Sequence, residues 1–226
     1  MFQGGPIFQL INAIRDGDIA GVVGYLSLIV VILLVAFPLH ELAHAVTADK
    51  LGDDTPRLNG RITLNPFKHL SLLGSLLFLT LGFGWATTPI NPMNFRGNWR
   101  MKHALVAVAG PIANLLLAVI FAIVYRVVEG SAAGESFVAA VVLIVCQLAV
   151  RINLFLAFFN LIPFPPLDGA TILLAFASDG VRGLFQQFSQ YSFYVIMLLS
   201  FSGLLSTIVN VLVNPPVRAL FNILIP

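Results

Sequence analysis

Charge and cysteine are both scarce in this sequence. Of its 226 residues, 10% are charged and 58% are hydrophobic, and the mean hydropathy is +0.95. Because soluble domains carry about 25% charged residues, this composition excludes an ordinary soluble protein and indicates an integral membrane protein. The one cysteine, Cys146, excludes an internal disulfide and a cysteine-cluster metal site. In its apolar run it is expected to be a buried hydrophobic side chain rather than a nucleophile.

The sequence also shows no polybasic tail, and we do not expect its first residues to be a secretory leader. Its net charge of +2 is spread over the loops, so nucleic acid is not an expected partner. The first 18 residues do not have the basic start, apolar core and cleavage site of a signal peptide. Their spaced apolar side chains instead predict an amphipathic segment at the membrane interface, residues 1–18. The absence of a transit-like start favours a prokaryotic plasma membrane.

Long apolar runs are the most abundant feature. A helix needs about 20 apolar residues to cross a hydrocarbon core about 30 Å thick. Runs of that length occur at residues 19–49, 103–128, 136–161 and 191–213. The last run is expected to stop at Asn214-Pro215-Pro216, and a further run, residues 70–83, is too short to cross comfortably. We therefore predict an all-α, multi-pass membrane protein that is a bundle of transmembrane helices.

The first run ends in the pattern H-E-L-A-H at residues 40 to 44. The helical period of 3.6 residues puts His40 and His44 on one face, with Glu41 beside them. Two imidazoles at this spacing suit a zinc ion, and the carboxylate is placed to act as a general base on water. A chance match is common in soluble proteins, but ionisable side chains inside a bilayer usually have a function. The pattern predicts a zinc site on a helix kinked by Pro38.

Catalytic zinc usually takes three protein ligands, so the two histidines require a third group. Asp168 is the candidate because it and Glu41 are the acidic residues embedded in apolar surroundings. Asp168 follows a proline-rich break in the helix. It could also be the N-cap of a half-helix that restarts at Ala170, and the two roles are compatible.

Asp168 can reach the histidines only if the chain crosses the membrane an even number of times between them. The number of crossings is even only if residues 70–83 form a re-entrant hairpin instead of a span. The hairpin also puts the two loops richest in Lys and Arg on one side, which the positive-inside rule makes cytoplasmic. We therefore predict a metal site in the membrane near its cytoplasmic face.

Three smaller features carry expectations of their own. Residues 61–64 alternate like a short strand that could pair with an unwound substrate, and a plain connecting turn is an equal alternative. Arg151 lies inside an apolar run, so it must extend its head group to the membrane surface or face the protein interior. Trp85 and Trp99 flank apolar runs and are expected to anchor at the lipid head groups.

These residues together resemble a known family, the site-2 proteases, which are intramembrane zinc metalloproteases. The similarity extends from Phe37 to about Gly169. The H-E-L-A-H pattern and the run N-L-I-P-F-P-P-L-D-G, which begins at Asn160, are similar to the two metal motifs of the family. Further similar stretches lie at residues 60–66, 84–86, 89–92 and 109–114.

The resemblance implies a protease that cuts a transmembrane helix of a membrane protein substrate, often after another protease has trimmed its outer part. It implies one zinc ion per chain, held by His40, His44 and Asp168, with Glu41 activating water. The expected partners are therefore transmembrane protein or peptide substrates and the lipid bilayer.

Two asparagines are implied as further site residues. Asn114 would point a polar group towards the site and hold the scissile carbonyl or oxyanion, with packing between helices as the alternative. Asn160 is a second candidate for that role. The predicted organisation is an interfacial segment at 1–18, a catalytic transmembrane core at 19–178, and a C-terminal transmembrane helix and tail at 179–226. We expect this organisation to lack the peptide-binding or nucleotide-sensing domain that this family often carries.

Two other classes remain as alternatives. A membrane transporter would use buried ionisable groups as an ion path, and it predicts further such groups and internal repeats. The sequence shows one cluster and no repeat. A metal-binding membrane protein without protease activity should have lost a ligand or Glu41, and all four residues are present.

Overall fold

The computed structural model of the chain describes residues 4–84, 86–131 and 136–225. These residues form helices and turns with no strand among them, which confirms the predicted all-α class. The helices are α1 (Pro6–Asp16), α2 (Ile19–Lys50), α3 (Thr55–Leu58), α4 (Leu72–Leu81), α5 (Trp99–Glu129), α6 (Phe137–Asn160), α7 (Asp168–Phe176), α8 (Asp179–Ser189), α9 (Ser192–Phe201) and α10 (Leu204–Leu224). Single 3-10 turns lie at Pro66–Lys68 and Pro92–Asn94. Trp85 lies outside the described residues.

Four helices in the described part of the chain, α2, α5, α6 and α10, are long and apolar enough to cross a membrane. The protein is an integral membrane protein, and the first three spans lie where the apolar runs predict them. Cys146 is buried within α6, as expected. Residues 6–16 form the first helix, and its position at the membrane interface stays a prediction.

The last membrane helix differs from the prediction of a span at 191–213. Ser192–Phe201 is a separate short helix, and the long apolar helix is Leu204–Leu224. This helix does not stop at Asn214-Pro215-Pro216, because a π-helical turn at Val209–Val213 precedes the prolines. A proline ring crowds the carbonyl four residues earlier and has no N–H to donate. The wider π turn accommodates both effects, so the helix continues.

A second π-helical turn that precedes a proline lies in α2, at Val31–Ala36. It directly precedes Phe37 and Pro38 and accommodates the proline ring, while the kink at Pro38 stays a prediction. His40 and His44 follow on the regular part of the helix. The π turn thus separates the apolar half of the helix from the half that carries the predicted ligands.

Residues 70–83 form the predicted hairpin. Its helix α4 has 10 residues, too few for a span, and Leu70 and Ala86 pair as an antiparallel bridge on either side of it. Gly82 ends the helix in the left-handed conformation, with φ 83°. Because the two ends of the segment meet, the chain enters and leaves on the same side. Two crossings, α5 and α6, then separate the histidines from Asp168.

Residues 61–64 do not form the predicted strand. The Arg61 amide donates to the Pro56 carbonyl at 2.9 Å, and the Thr63 carbonyl lies 2.8 Å from His69 Nε2. These local bonds engage backbone groups that a strand edge would leave available. The alternative of a connecting turn is the correct one.

Helix α5 is central, since it packs against α2, α6 and α7. One apolar cluster joins α2, α4 and α6 through Ala36, Phe78 and Ala149. A second joins α6 to α10 through Leu154 and Val213. This packing brings the half of α2 that carries the predicted ligands and the start of α7 to the same side of α5.

Candidate active site

The predicted metal ligands lie together. One ligand atom from each of His40, His44 and Asp168 lies within 4.8 Å of the others. The two Nε2 atoms are 3.0 Å apart; that of His40 is 3.2 Å from Asp168 Oδ2, and that of His44 is 3.4 Å from Asp168 Oδ1. Asp168 is the first residue of α7 and its side chain does not cap the helix, whose N-cap position is Leu167. The N-cap reading of Asp168 is therefore wrong.

The far nitrogen of each histidine ring fixes where the proton lies. His44 Nδ1 is 2.7 Å from the Val106 carbonyl, which can only accept, so this nitrogen donates. His40 Nδ1 is 2.8 Å from Asn114 Oδ1 and donates in the same way. A neutral ring in this orientation therefore turns its Nε2 lone pair towards the other ring and towards the carboxylate. Such a group of electron pairs is stable around a cation.

The surroundings of these atoms fit a zinc ion. Asp168 Oδ2 is buried and has no hydrogen-bond partner within the described residues. A Cβ atom added to Gly110 would lie 2.5 Å from His40 Cε1 and 2.6 Å from His40 Nε2, so the glycine keeps this space open. Two imidazole nitrogens and a carboxylate are a donor set that catalytic zinc uses.

Glu41 is buried next to the histidines and faces the same cavity. The Thr88 hydroxyl lies 2.7 Å from Glu41 Oε2 and 3.0 Å from the Glu41 carbonyl. Thr88 therefore fixes the position of the carboxylate. Sequence reasoning missed this contact, because 47 residues separate the two and no spacing connects them.

The structure distinguishes the two candidate asparagines. Asn114 is fully buried, and its Nδ2 has no partner in the described part of the chain. Asn160 is half-buried on the cavity wall, and its Nδ2 donates to the Leu156 carbonyl of its own helix at 2.9 Å. Asn114 is thus the one in contact with a predicted ligand, and Asn160 lies at the wall.

A cavity of about 1420 Å³ encloses the site. Helices α2, α5, α6, α7, α9 and α10 and the hairpin all contribute to its wall. Pockets for small ligands have volumes of about 300–1,000 Å³. This one is large enough for a segment of polypeptide.

The fold and the site together define a class. A membrane-spanning helix with the H-E-x-x-H pattern, and a carboxylate that meets it after two further crossings, are the features of an intramembrane metalloprotease.

Comparison with known proteins supplies the family. The model of peptidase family M50 matches residues 126–203. The chain is 42% identical over 175 residues to YwhC of Bacillus subtilis, a protein provisionally named a zinc metalloprotease, and the match covers 76% of this chain and 78% of that protein. Rip2 of Mycolicibacterium smegmatis, named in the same way, is 28% identical over 210 residues, 86% of this chain and 79% of Rip2. Rip2 of Mycobacterium tuberculosis is 31% identical over 148 residues, 62% of this chain and 53% of Rip2.

No solved structure matches the chain. The chain belongs to peptidase family M50, the site-2 proteases, and is an intramembrane zinc metalloprotease. Nothing in the described residues or the comparisons favours a transporter.

Proposed function

We propose that this protease hydrolyses peptide bonds within or near transmembrane segments of membrane protein substrates. His40, His44 and Asp168 hold the zinc ion, and Glu41 is the general base. The observation that carries the proposal is the convergence of two Nε2 lone pairs and a carboxylate, next to Glu41, inside a cavity of about 1420 Å³.

The setting supports this reaction. Peptide bonds in a transmembrane helix are hydrogen-bonded to one another and lie away from water. A protease acting on them needs a polar cavity within the bundle, and an unwound stretch of substrate must fit inside it. Both requirements agree with a cavity whose wall includes apolar helix faces as well as His40 and Glu41.

Different residues of the chain have different roles in this reaction. A bound zinc ion would supply Lewis acidity, which polarises a carbonyl group and makes water more acidic. Glu41, held by Thr88, takes a proton from the attacking water and returns it to the leaving amine. The Val106 carbonyl keeps the His44 ring in its orientation through the Nδ1 hydrogen bond. Asn114 Oδ1 does the same for His40.

The unpartnered Nδ2 of Asn114 supports its role as a donor to the oxyanion that forms at the scissile carbonyl. Asn160 has its Nδ2 engaged by its own helix, so we assign it to the cavity wall.

We also propose that the active site lies near the cytoplasmic face of a prokaryotic plasma membrane. Lys102 Nζ donates to the Leu51 carbonyl at 3.1 Å, so the two loops rich in Lys and Arg lie at one end of the bundle. The positive-inside rule makes that end cytoplasmic. The relatives compared above are bacterial proteins.

Glu41→Gln tests the proposed base. In vesicles, the wild-type chain should contain one zinc ion and cut a model transmembrane peptide. The variant should keep the zinc and lose about 10²–10⁴-fold in cleavage rate, because its amide cannot accept the proton. Glu129→Gln, at the exposed end of α5, is the matched control and should cut at the wild-type rate. Equal cleavage by wild type and Glu41→Gln would refute the proposal.

A further inference from the structure

The cavity that holds the metal site also has two arginines in its wall, Arg151 of α6 and Arg218 of α10. Both side chains are exposed. The Arg151 guanidinium lies over the Phe221 ring, 4.7 Å from its centroid. Neither arginine forms an ion pair with any described residue. The sequence left two positions open for the Arg151 head group, the membrane surface or the protein interior. Its place in the cavity wall corresponds to the interior position.

Helix α10 turns a polar face towards this cavity. Asn214, Arg218 and Asn222 are spaced four residues apart, so they lie along one side of the helix, and all three line the cavity. Phe221 follows Arg218 by three residues and is its neighbour on the helix surface. The contact between the Arg151 guanidinium and the Phe221 ring therefore places Arg151 beside this polar face. The guanidinium groups of Arg151 and Arg218 thus belong to one region of the cavity wall.

The depth of Arg151 limits what can neutralise it. It lies nine residues before the end of the 24-residue helix α6, which is about 13 Å along the axis. This position is near the middle of the span, whereas lipid phosphates lie outside a hydrocarbon core about 30 Å thick. An uncompensated guanidinium at such depth is costly and favours an anionic partner. The acidic groups of the cavity, Glu41 and Asp168, belong to the metal site.

We propose that Arg151 and Arg218 form an anion-binding subsite that takes an Asp or Glu side chain from the transmembrane segment of the substrate. The inference rests on the proposed function. A guanidinium pairs with a carboxylate through two parallel hydrogen bonds, which fix direction as well as distance. Phe221 contacts the Arg151 head group, which fixes the subsite in the wall of the cavity that also holds the predicted metal ligands. The protease then prefers substrates with one acidic residue at a set position relative to the bond that is cut.

The test uses the full chain in phosphatidylcholine vesicles. A model transmembrane peptide carries a single Glu that is moved one residue at a time along its sequence, and a matched series carries Gln. For wild type, one Glu position should raise kcat/KM about tenfold or more over the Gln peptide. Arg151→Gln should lower the ratio of kcat/KM for the Glu peptide to kcat/KM for the Gln peptide to about one. Arg151→Glu should instead prefer Lys at the same position.

Controls separate the possible failures. Arg96→Gln removes an exposed arginine outside the cavity and should keep the preference for Glu. Zinc content at the wild-type level shows that each variant is folded. If Arg151→Gln does not fold, Arg218→Gln decides, because it should reduce the same preference.

Two outcomes would overturn the subsite. In the first, wild type cuts Glu and Gln peptides equally at every position; proteolysis that still depends on Glu41 would leave the proposed function standing. In the second, Arg151→Gln lowers cleavage only when phosphatidylglycerol is added, whatever the charge of the peptide. That result would assign the arginines to a lipid phosphate.

Discussion

At the scale of single residues, we propose two separable functions for the Asn114 amide. Its Oδ1 accepts the proton of His40 Nδ1, and its Nδ2 has no partner in the described residues. The Oδ1 contact orients a predicted ligand, and the buried Nδ2 is the proposed donor to the substrate. Substitutions that keep one and remove the other can tell them apart.

Asn114→Leu removes both functions, and Asn114→Asp keeps only the acceptor. The Leu variant should bind zinc about 10–100-fold more weakly, because His40 loses its orienting partner. The Asp variant should keep its zinc and lose about 10²–10³-fold in kcat, because the oxyanion donor is gone. Zinc competition with a chelator and peptide cleavage measure the two effects. Full activity of Asn114→Asp would leave Asn114 an orienting role only.

Gly110 should tolerate no side chain. The Cβ of Gly110→Ala would overlap the imidazole rings of both His40 and His44, so we expect zinc content well below one ion per chain. Gly24→Ala is the control, since its Cβ would have no atom within 4 Å and alanine favours a helix by up to about 1 kcal/mol. Normal zinc content in Gly110→Ala, measured by metal analysis, would contradict the geometry described for the site.

At the scale of elements, a buried carboxylate joins the two polar loops. Asp53 is fully buried and accepts hydrogen bonds from the Thr55 amide and hydroxyl at 3.1 and 2.6 Å. It also accepts from the Asn91 amide and from Asn94 Nδ2, each at 2.7 Å. Thr88 lies three residues before Asn91, so Asp53 also fixes the loop that holds Glu41 in place.

Asp53→Asn should destabilise the protein by about 3 kcal/mol, because an amide cannot accept all of these bonds and leaves buried donors unpaired. Cleavage should fall too, since Thr88 loses its support. Asp54→Asn changes an exposed neighbour and should alter neither property. Thermal unfolding in detergent gives the stability, and an unfolding temperature of Asp53→Asn equal to the wild type's would show that the loops hold without this carboxylate.

The Asp53 carboxylate should also make the stability of the protein depend on pH. Burial alone would raise the pKa of Asp53, but hydrogen bonds from Thr55, Asn91 and Asn94 outweigh it and hold the pKa below its ordinary 3.8. A lowered pKa stabilises the folded state at pH values above the ordinary one, and this contribution is lost as the pH falls through the folded pKa. Between about pH 5 and pH 3, wild type should therefore lose more stability than Asp53→Asn.

The elements predicted best from the sequence are those set by a single run of residues. Three spans follow from apolar length alone, and the ligand face of α2 follows from the helical period. The strand, one of two equal alternatives at 61–64, and the helix end at Pro215 were wrong, because each depended on which partners the neighbouring backbone groups find. Thr88 and the Val106 carbonyl were not predictable, since only the packed fold brings them to Glu41 and His44.

At the scale of the whole molecule, the site depends on topology. With Cys146→Ala as background, Asn59→Cys and Arg96→Cys should react with a membrane-impermeant maleimide from one face, because the Leu70 and Ala86 pair closes the hairpin. Ser131→Cys, after α5, should react from the other face. Labelling of the Asn59 and Arg96 positions from opposite faces would mean that residues 70–83 cross the membrane, and Asp168 would then lie out of reach.

The division into residues 1–18, 19–178 and 179–226 stays a prediction. Helix α10 belongs to the last of these parts, yet it supplies Arg218 and Phe221 to the wall of the central cavity. A variant lacking this helix would therefore be expected to lose more than a membrane anchor.

The meeting of His40 and His44 with Asp168 has a mechanical consequence. These residues sit on α2 and α7, two elements that no short stretch of chain connects, so a shared ion is a cross-link between them. An ion that binds only the folded chain stabilises it by mass action, in proportion to the logarithm of its free concentration. The free zinc concentration then contributes to the stability of the folded bundle. Depletion of the metal would therefore lower the stability of the protein as well as abolish its activity.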